Sequence, residues 1–589
     1  MDLRSRRRPI TRFATGTHTL RLACILVALT SFRAAVSKEV AAEGKNATKT
    51  SAIKNRMELA GQNLLGMLNA KHDYLPNFLI AVEPDYTAEA QLFFPAHNIG
   101  RWLDAMYRLE NATGYTAPAE IQTAMLRNVE KFCDNSDDLF LRPLDTMPFE
   151  RGDLFCFHSL REQLAALHAL AKYKDNRWAL ERALRMVQAL DGLLLPEEEW
   201  RPRGTVWDIA RTKRYRVQKC TEVFWGWSPN LQGSEGRLIE PLLWLYELSQ
   251  DPLALELAGR FAKFHLSLSI RPDGDFYAGK LAGHNHSYMG TLRGLLYYGQ
   301  ITKQQEYIDA VARTYAKAIP RIVKRSGFTT HDLHRDHGGD MSSAADVTQM
   351  ALWLGVHHGY TKYLADVGRL VRSRILPGQI TASPALTPKS AARKPTTKVM
   401  PDGRFAWVEY PEKMEEIVVG ALGGIYGRPH GGKWSVTDVT SSVLSVLVNV
   451  YEHIAVEGAD EIRVYLHFDY QDESIHIRSK RGRFATVVFE PKVEKDLLVR
   501  MPGGVSKDTV SWELDGQTFE PPREGVFTRI KHAHLPARIE LTYALPIRKE
   551  KETAAGTEFE ITWRGDEIVG ICPNTDFYPF FPTAKGCEK

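Results

Sequence analysis

The stretch His284-Asn-His-Ser-Tyr-Met-Gly-Thr-Leu-Arg-Gly-Leu-Leu296 begins with polar side chains and continues as an apolar helix. Similar stretches begin at His158, Glu235 and Asp340, and each is followed by a turn and a second amphipathic helix. Helical hairpins stacked in a ring give every first helix the same direction, so their polar starts would converge on one rim. The repeat therefore predicts both a fold and the place to look for chemistry.

The predicted fold class is multidomain α+β, with an (α/α)6 toroid of helical hairpins followed by a C-terminal β-sandwich. The hairpins recur at roughly 50–75 residues, which is too long for a tetratricopeptide or ankyrin array. They fill residues 52–457, where residues 376–410 are rich in Pro, Thr, Ser and Ala and are predicted to form a long loop. From residue 458 to 589 the period of the apolar residues changes from 3.6 to two residues, which predicts short strands separated by turn residues. Several short strands at regular spacing are typical of a β-sandwich.

The net charge of +5 comes from the N-terminal segment. Residues 1–33 contain seven Arg and one Asp, so the rest of the chain is close to neutral. A protein whose main partner is nucleic acid needs a basic surface, and none is left after this subtraction. The composition therefore argues against nucleic acid as a partner. It does not indicate an oligomeric state.

The same N-terminal segment has the layout of a signal peptide. Arginines precede an apolar run at 20–32, and Ala35-Val-Ser37 is a small-residue cleavage site. The run is shorter than the ~20 apolar residues that a membrane-spanning helix needs. We expect residues 1–37 to direct export to the periplasm or the medium, residues 38–51 to be a linker, and the mature chain to have no stable membrane span.

The cysteine spacing does not indicate a structural zinc site. Outside the leader, five Cys are widely spaced with no CxxC pair. One disulfide is compatible with an oxidising compartment, but the spacing does not identify its partners. Cys572 and Cys587 are the closest in sequence.

The starts of the predicted first helices carry an unusual set of polar residues. Ser, Asp and Asn at these positions are also expected as helix caps, which is the alternative explanation for Ser287, Ser342, Asp340 and Asp438. Capping does not explain the histidines, of which eight of nineteen lie near these starts. They are His97, His158, His284, His286, His331, His334, His337 and His430. A shared polar cleft accounts for them better than eight separate structural roles.

A cleft of carboxylates, His, Arg and Trp suits glycosidic bond cleavage. That reaction needs one acid to protonate the leaving oxygen and a second group as base or nucleophile. The predicted catalytic residues are Asp336, Asp340 and Glu235. The predicted substrate-binding residues are His97, His158, Arg161, Trp227, His284, His286, Tyr288 and Trp434, although core packing is the alternative for the tryptophans.

A metal or other cofactor is not predicted. The run His331-Asp-Leu-His-Arg-Asp-His-Gly-Gly-Asp340 is rich in metal-ligand types. However, its His residues are three apart in a predicted loop, and no helical His-x-x-x-His pair occurs in it.

Six motifs in order resemble the glycoside hydrolase family typified by β-L-arabinofuranosidases. They are "HNIGRWLDAMYRLE" from 97, "EGRLIEPLLWLYE" from 235, "HNHSYMGTLRGLL" from 284, "DMSSAADVTQMALWLG" from 340, "LLVRMPGGV" from 497 and "WRGDEIVGICPNTDFYPFFP" from 563. The resemblance covers most of the chain from about residue 60 to 585. It implies an (α/α)6 toroid, β-sandwich domains and carbohydrate degradation.

The sequence departs from this family at the catalytic centre. The resemblance implies a cysteine nucleophile within a zinc site of one Glu and three Cys, as in the characterised members of the family. The matching stretches here, 340–342 and 433–438, contain no Cys. The zinc–thiolate chemistry is therefore not carried over to this chain.

The leading prediction is an exported glycoside hydrolase that acts on plant or algal-type glycans by carboxylate and His acid–base chemistry. One alternative is a polysaccharide lyase in which His286 or Tyr288 abstracts a proton beside a uronate carboxylate. Another is a glycan-binding protein without catalysis. In each case the partner is a carbohydrate.

Overall fold

The computed structural model covers the helical and β regions with gaps. The described residues are 53–81, 87–91, 94–141, 154–155, 157–203, 205–208, 216–217, 235–277, 285–333, 335–338, 341–382, 396–399, 405–411, 413–422, 433–531, 537–573, 584 and 587. The predicted signal peptide (1–37) and linker (38–51) lie outside them.

Six helices lie side by side, each contacting the next in chain order, and the last contacts the first. We call them ring helices 1 to 6; they are Phe94–Thr113, Leu160–Lys174, Arg237–Ser249, Asn285–Thr302, Met341–His357 and Thr437–Glu452. Residues 341–355 of ring helix 5 are all buried, because this helix has neighbours on every side. The N-terminal region is thus helix-rich, as predicted.

Each ring helix contacts an outer helix. In the order of the ring, the outer helices are Ala119–Cys133, Arg177–Asp191, Pro252–Ser269, Gln305–Lys317, Leu364–Leu370 and, beside ring helix 6, Ile53–Gly66. Side-chain caps begin two of them, since Asn176 accepts from the Ala179 amide and Asp251 from the Ala254 amide. These helices bury one face.

The other described helices are short. They are Ala70–His72, Phe157–Ser159, Glu197–Arg203, Ile319–Ile322, Thr361–Tyr363, Val371–Ile375, Met414–Ile417 and Lys507–Thr509. None of the described helices is long and apolar enough to cross a membrane.

A five-stranded antiparallel sheet adjoins the start of ring helix 6. Its strands, in spatial order, are Lys433–Val436, Leu79–Ala81, Thr87–Gln91, Phe405–Glu409 and Thr396–Val399. The last two fall within residues 376–410, so the prediction of a loop throughout this segment was wrong. The physical reason is non-local pairing, because 405–409 pairs with 88–91 from the far end of the helical region.

Three two-stranded ladders complete the helical region. They are Leu68–Asn69 with Leu75–Pro76, Leu154–Phe155 with Arg216–Val217, and Thr330–Asp332 with Arg335–Gly338. The last is a hairpin within the run that was predicted to be a loop before ring helix 5.

The C-terminal region is β-rich, as predicted, but it forms three sheets. One sheet contains Ala455–Glu457, Glu461–Val464, Asp496–Arg500, Phe527–Ile530 and Arg523–Glu524. A second contains Tyr470–Gln471, Ile475–Arg481, Phe484–Pro491, Ile539–Ala544, Ser511–Leu514 and Gln517–Phe519. The third contains Ile547–Ala554, Thr557–Arg564 and Glu567–Cys572.

The β region and the helical region share buried surface. One apolar core runs continuously from the ring helices into the first two sheets. The third sheet has its own core, which includes Phe328 from the helical region. A disulfide joins Cys572 to Cys587, the pair closest in sequence, and Cys133 is buried as a free thiol.

Close packing of ring helices 1 and 2 predicts a strong effect at Gly100. A Cβ at this position would overlap the backbone carbonyl oxygen of Glu162. We expect Gly100→Ala to lower the free energy of unfolding by more than about 2 kcal/mol, because two helix backbones must separate.

The measurement is denaturant unfolding with Gly192→Ala as the control. A Cβ at Gly192 has only an ordinary contact of 3.4 Å with the Ala189 carbonyl. The free energy of unfolding of Gly192→Ala should stay within about 0.5 kcal/mol of that of the parent protein. Equal stability of both variants would show that the two ring helices are less closely packed than described.

Candidate functional site

At the rim where the ring helices begin, His97 lies between two carboxylates. Its Nδ1 atom is 3.5 Å from Glu162 of ring helix 2, and its Nε2 atom is 3.6 Å from Asp438 of ring helix 6. His97 and Glu162 have side chains that are only 1% exposed, whereas the Asp438 side chain is 22% exposed. Asp438 is thus the carboxylate of this trio that solvent and substrate can reach.

Glu162 is the meeting point of several cations. Arg101 donates to its Oε1 atom from Nε at 3.1 Å, and the Nη2 atom of Arg101 lies 2.9 Å from the same oxygen. Arg237 also donates to Oε1. Arg161 approaches to 3.6 Å. Ring helices 1, 2 and 3 are therefore joined by buried charged groups immediately below the rim.

The same network continues through His286 to ring helices 4 and 5. Arg101 Nη2 lies 2.9 Å from His286 Nε2, and His286 Nδ1 lies 2.6 Å from Asp346. Arg293 then donates to Asp346 at 2.8 Å and to Glu240 at 2.6 Å. Since arginine can only donate, His286 accepts at Nε2 and carries its proton on Nδ1, which donates to Asp346.

Burial and neighbouring charge compete at each titrating group in this network. Burial opposes ionisation of Glu162, but Arg237, His97 and Arg101 outweigh it and hold the pKa of Glu162 well below its ordinary value. Burial lowers the pKa of His97 despite the opposing effect of Glu162. The network therefore sets an ionised Glu162 among arginines beside a neutral His97, while burial raises the pKa of Asp346 against the opposing effect of Arg293.

Below the network, a pocket of about 380 Å³ continues along the axis of the ring. Its wall includes Trp244 and Trp353, each with an Arg side chain near its ring. Exposed residues at the C-terminal ends of the ring helices, such as Lys172 and Glu452, also line it. The charged network thus separates this axial pocket from the rim.

Arg161 differs from the other arginines of the network because it makes no hydrogen bond within the described chain. Its side chain is 12% exposed and lines the axial pocket. Burial lowers its pKa, and Glu240 and Glu162 offset this only in part. A guanidinium in this state is available to an acidic or hydroxylated ligand.

The structure places five of the predicted site residues with their side chains. His97, Arg161 and His286 come together in the network. Glu235 is fully buried at the start of ring helix 3, with one oxygen 3.8 Å from His265 of an outer helix. The Tyr288 hydroxyl donates to the Ser269 carbonyl oxygen, so this side chain points to the outer helix and away from the axis.

The other predicted residues are described by backbone only or not at all. The backbones of His158, Asp336 and Trp434 lie in Phe157–Ser159, Arg335–Gly338 and Lys433–Val436. Their side chains, and all of Trp227, His284 and Asp340, lie outside the described residues.

Sequence reasoning missed Glu240, Arg293 and Asp346. Each lies about one to two turns after the polar start of an otherwise apolar ring helix. A charged residue inside an apolar helix is the signal that could have found them, because such a residue requires a buried partner.

The residues at the matching stretches do not fit the zinc site that the family resemblance implies. Ser342 and Ser435 stand there, and the Ser435 hydroxyl donates to Asn63 at 3.0 Å. Among the side chains that the structure describes, no group of three His, Cys, Asp or Glu could hold a metal ion.

Comparison with known proteins shows likeness at the level of the fold. No family model and no curated protein matches the sequence. A GH127 β-L-arabinofuranosidase from Geobacillus stearothermophilus T6 is 13% identical with a TM-score of 0.51, over 90% of this chain and 82% of that chain. A second GH127 β-arabinofuranosidase is 12% identical with a TM-score of 0.52, over 86% and 78%. The predicted resemblance is thus confirmed as a structural likeness with strongly diverged sequence.

The position of Asp346 predicts a large loss of stability in Asp346→Asn. This substitution keeps the shape but removes the charge between Arg293 and His286, so that Glu240 alone must balance the buried cation of Arg293 within a network that holds more arginines than carboxylates. We expect a loss of roughly 3–5 kcal/mol in the free energy of unfolding. Glu560→Gln, in the exposed Lys549–Glu560 pair, is the control and should cause no measurable change. Equal losses of stability in Asp346→Asn and Glu560→Gln would contradict a structural role for the charged network.

Buried His168 in ring helix 2 predicts a pH dependence. Burial lowers its pKa to about 3, while the unfolded chain has the ordinary value near 6.5. Unfolding therefore takes up a proton, and the stability present above about pH 6.5 is lost as the pH falls towards about 3. Between pH 7 and 5 this amounts to about 2 kcal/mol.

The measurement is denaturant unfolding of the parent and His168→Gln at both pH values. Between pH 7 and pH 5, the free energy of unfolding of the variant should fall by about 2 kcal/mol less than that of the parent. His476→Gln, at a half-buried histidine of the β region, should behave like the parent. Identical pH dependence in His168→Gln and the parent would show that His168 titrates normally.

Proposed function

We propose that this protein is a glycoside hydrolase whose site lies at the rim where the ring helices begin. In this proposal the ring and outer helices form an (α/α)6 toroid, and the sheets that follow include a β-sandwich. The observation that supports it best is His97 between Glu162 and the partly exposed Asp438, held by the charged network beneath. The likeness to GH127 structures supports the same architecture.

The acid–base chemistry is assigned to carboxylates at the rim. A glycosidase needs two carboxyl groups, about 5–5.5 Å apart for retention or about 6.5–9.5 Å apart for inversion. Asp438 meets the requirement of access, and its contact with His97 provides a partner that can stabilise its charge. Asp336, Asp340 and Glu235 remain the candidates for the second group, because all three lie at or just before ring-helix starts.

The substrate-binding assignments divide into two kinds. His286 has both ring nitrogens engaged, so it acts as a positioning residue that holds Arg101 and Asp346 in place. Arg161 has free donors and suits sugar hydroxyls or a uronate. The proposed roles of His158, His284, Trp227 and Trp434 at the sugar rest on sequence position alone.

The lyase alternative is disfavoured by the state of its proposed bases. His286 is buried and its Nδ1 atom is paired with Asp346, while Arg101 donates to its Nε2 atom. The Tyr288 hydroxyl is bound to a backbone carbonyl, and burial raises its pKa. Neither group is available to abstract a proton from a substrate at the rim.

A carbohydrate substrate and export belong to the same proposal. The N-terminal leader supports export, and the near-neutral remainder of the chain supports a glycan over nucleic acid. A periplasmic or extracellular protein would meet plant or algal-type glycans directly.

The experiment is a glycan panel assayed with the full chain and with single variants. We expect Asp438→Asn to lower kcat by about 10²-fold or more, the usual contribution of an acid–base group. Among Asp336→Asn, Asp340→Asn and Glu235→Gln, at least one should have a similar effect. Asp508→Asn, on an exposed turn of the β region, is the matched control and should keep full activity.

Three outcomes would overturn parts of this proposal. Full activity in all four rim variants would place the chemistry elsewhere. Products with an ultraviolet-absorbing unsaturated end would identify a lyase. Tight oligosaccharide binding without turnover across the panel would identify a glycan-binding protein. Thermal unfolding of each variant separates loss of chemistry from loss of fold.

A further inference from the structure

A second pocket, of about 540 Å³, lies where the helical region meets the β region. Its lining is strongly cationic. Six arginines line it, and they are Arg325, Arg369, Arg372, Arg481, Arg500 and Arg548. Only Asp366 and Asp566 among its lining residues are acidic. This pocket is separate from the ring axis and takes no part in the proposed chemistry.

One of these two acidic residues, Asp566, is shared by two buried arginines. Arg372 donates to Asp566 at 2.8 Å, and Arg481 donates to the other oxygen of the same carboxylate. The side chains of Arg372 and Arg481 are only 8% and 6% exposed. Asp566 therefore has no capacity to neutralise a third cation.

The outer arginines have their own partners at the edge of the pocket. Arg369 pairs with Asp366 at 2.7 Å. Arg548 and Arg325 both pair with Glu550, at 2.8 Å and 3.3 Å. Each of these three arginines thus has a carboxylate partner, although Glu550 is shared by two of them.

Arg500 is the exception. It ends the strand Asp496–Arg500 and is 7% exposed. Its Nε atom donates to the Tyr465 carbonyl oxygen at 2.6 Å. Within the described chain, the Arg500 side chain makes no other hydrogen bond and no ion pair. Burial, together with Arg372, lowers its pKa to about 10 although Tyr543 and Asp566 oppose the shift, which agrees with a buried cation that has no ion-pair partner of its own.

The pocket is also accessible beside Arg500. Gly503 and Gly504 follow it, line the pocket and are exposed. Gly504 has a φ of +79°, and a Cβ at either glycine would meet nothing within 4 Å. His467 lines the pocket as a neutral group, since burial lowers its pKa to about 3. Among the described residues that line the pocket, only Asp566 and Asp366 carry a charge that repels an anion.

We propose that this pocket binds an oxyanion, a carboxylate, sulfate or phosphate group, with Arg500 as its principal ligand. The planar guanidinium offers two parallel N–H donors that match such a group. Arg481 and Arg548 extend the positive potential around it. The inference concerns a site other than the rim and does not rest on the proposed hydrolase activity.

The test is calorimetric titration of the full chain with sodium sulfate, sodium phosphate and sodium glucuronate at constant ionic strength. We expect saturable binding of at least one anion and a rise in Tm of about 2 °C or more at saturation. The three arms identify which oxyanion the site prefers. Sodium chloride at the same ionic strength controls for general salt effects.

Variants locate the binding at Arg500. Arg500→Met should weaken binding by at least about tenfold, and Arg500→Lys should weaken it less because the charge is kept without the planar fork. Without anion, Arg500→Met should keep the parent Tm or exceed it, since no carboxylate loses a partner. Arg538→Met, in an exposed pair with Glu540, is the matched control and should bind like the parent.

Specific results would overturn this proposal. They are the absence of saturable binding for all three anions, equal binding by Arg500→Met and the parent, or a large fall in Tm of anion-free Arg500→Met. If that variant fails to fold, Arg548→Met at the pocket edge replaces it. It should then weaken binding by a factor of about two or more, and unchanged binding would again reject the site.

Discussion

The buried network of charges across the ring axis is the interaction on which the rest of the helical region depends. It connects Arg101 to Glu162 and, through His286, to Asp346 and Arg293. Buried ion pairs add little net stability compared with an apolar core, but losing one member leaves an uncompensated charge. The network therefore acts mainly as a constraint, because its pairs form only when residues of ring helices 1 to 5 are brought together.

This constraint determines what each end of the ring can do. Inside the network, His286 has both ring nitrogens engaged and holds Arg101 and Asp346 in place. Groups at its edges, Asp438 above and Arg161 below, are more exposed, at 22% and 12% of their side chains. The network thus separates fully buried charges from the more exposed ones to which the proposed function assigns a role, although both lie near the same helix starts.

The helical repeat was predictable from the sequence because apolar spacing within one helix is a local signal. Partners were not predictable, because Arg293 and Asp346 are far apart in the chain and meet only after the ring closes. The same limit explains residues 405–409, whose short apolar pattern becomes a strand only when it pairs with 88–91. Histidines at helix starts were a correct sign of a polar interior, but they did not reveal which carboxylates would join them.

The two arginine-rich interiors of this protein differ in how their charge is balanced. In the ring, Glu162, Asp346 and Glu240 from neighbouring helices face the buried arginines of the network. At the junction with the β region, Asp566 serves two arginines and Arg500 has no carboxylate. Since Arg372 belongs to the helical region and Arg500 to the β region, an anion bound there would add to the attraction that holds the two regions together.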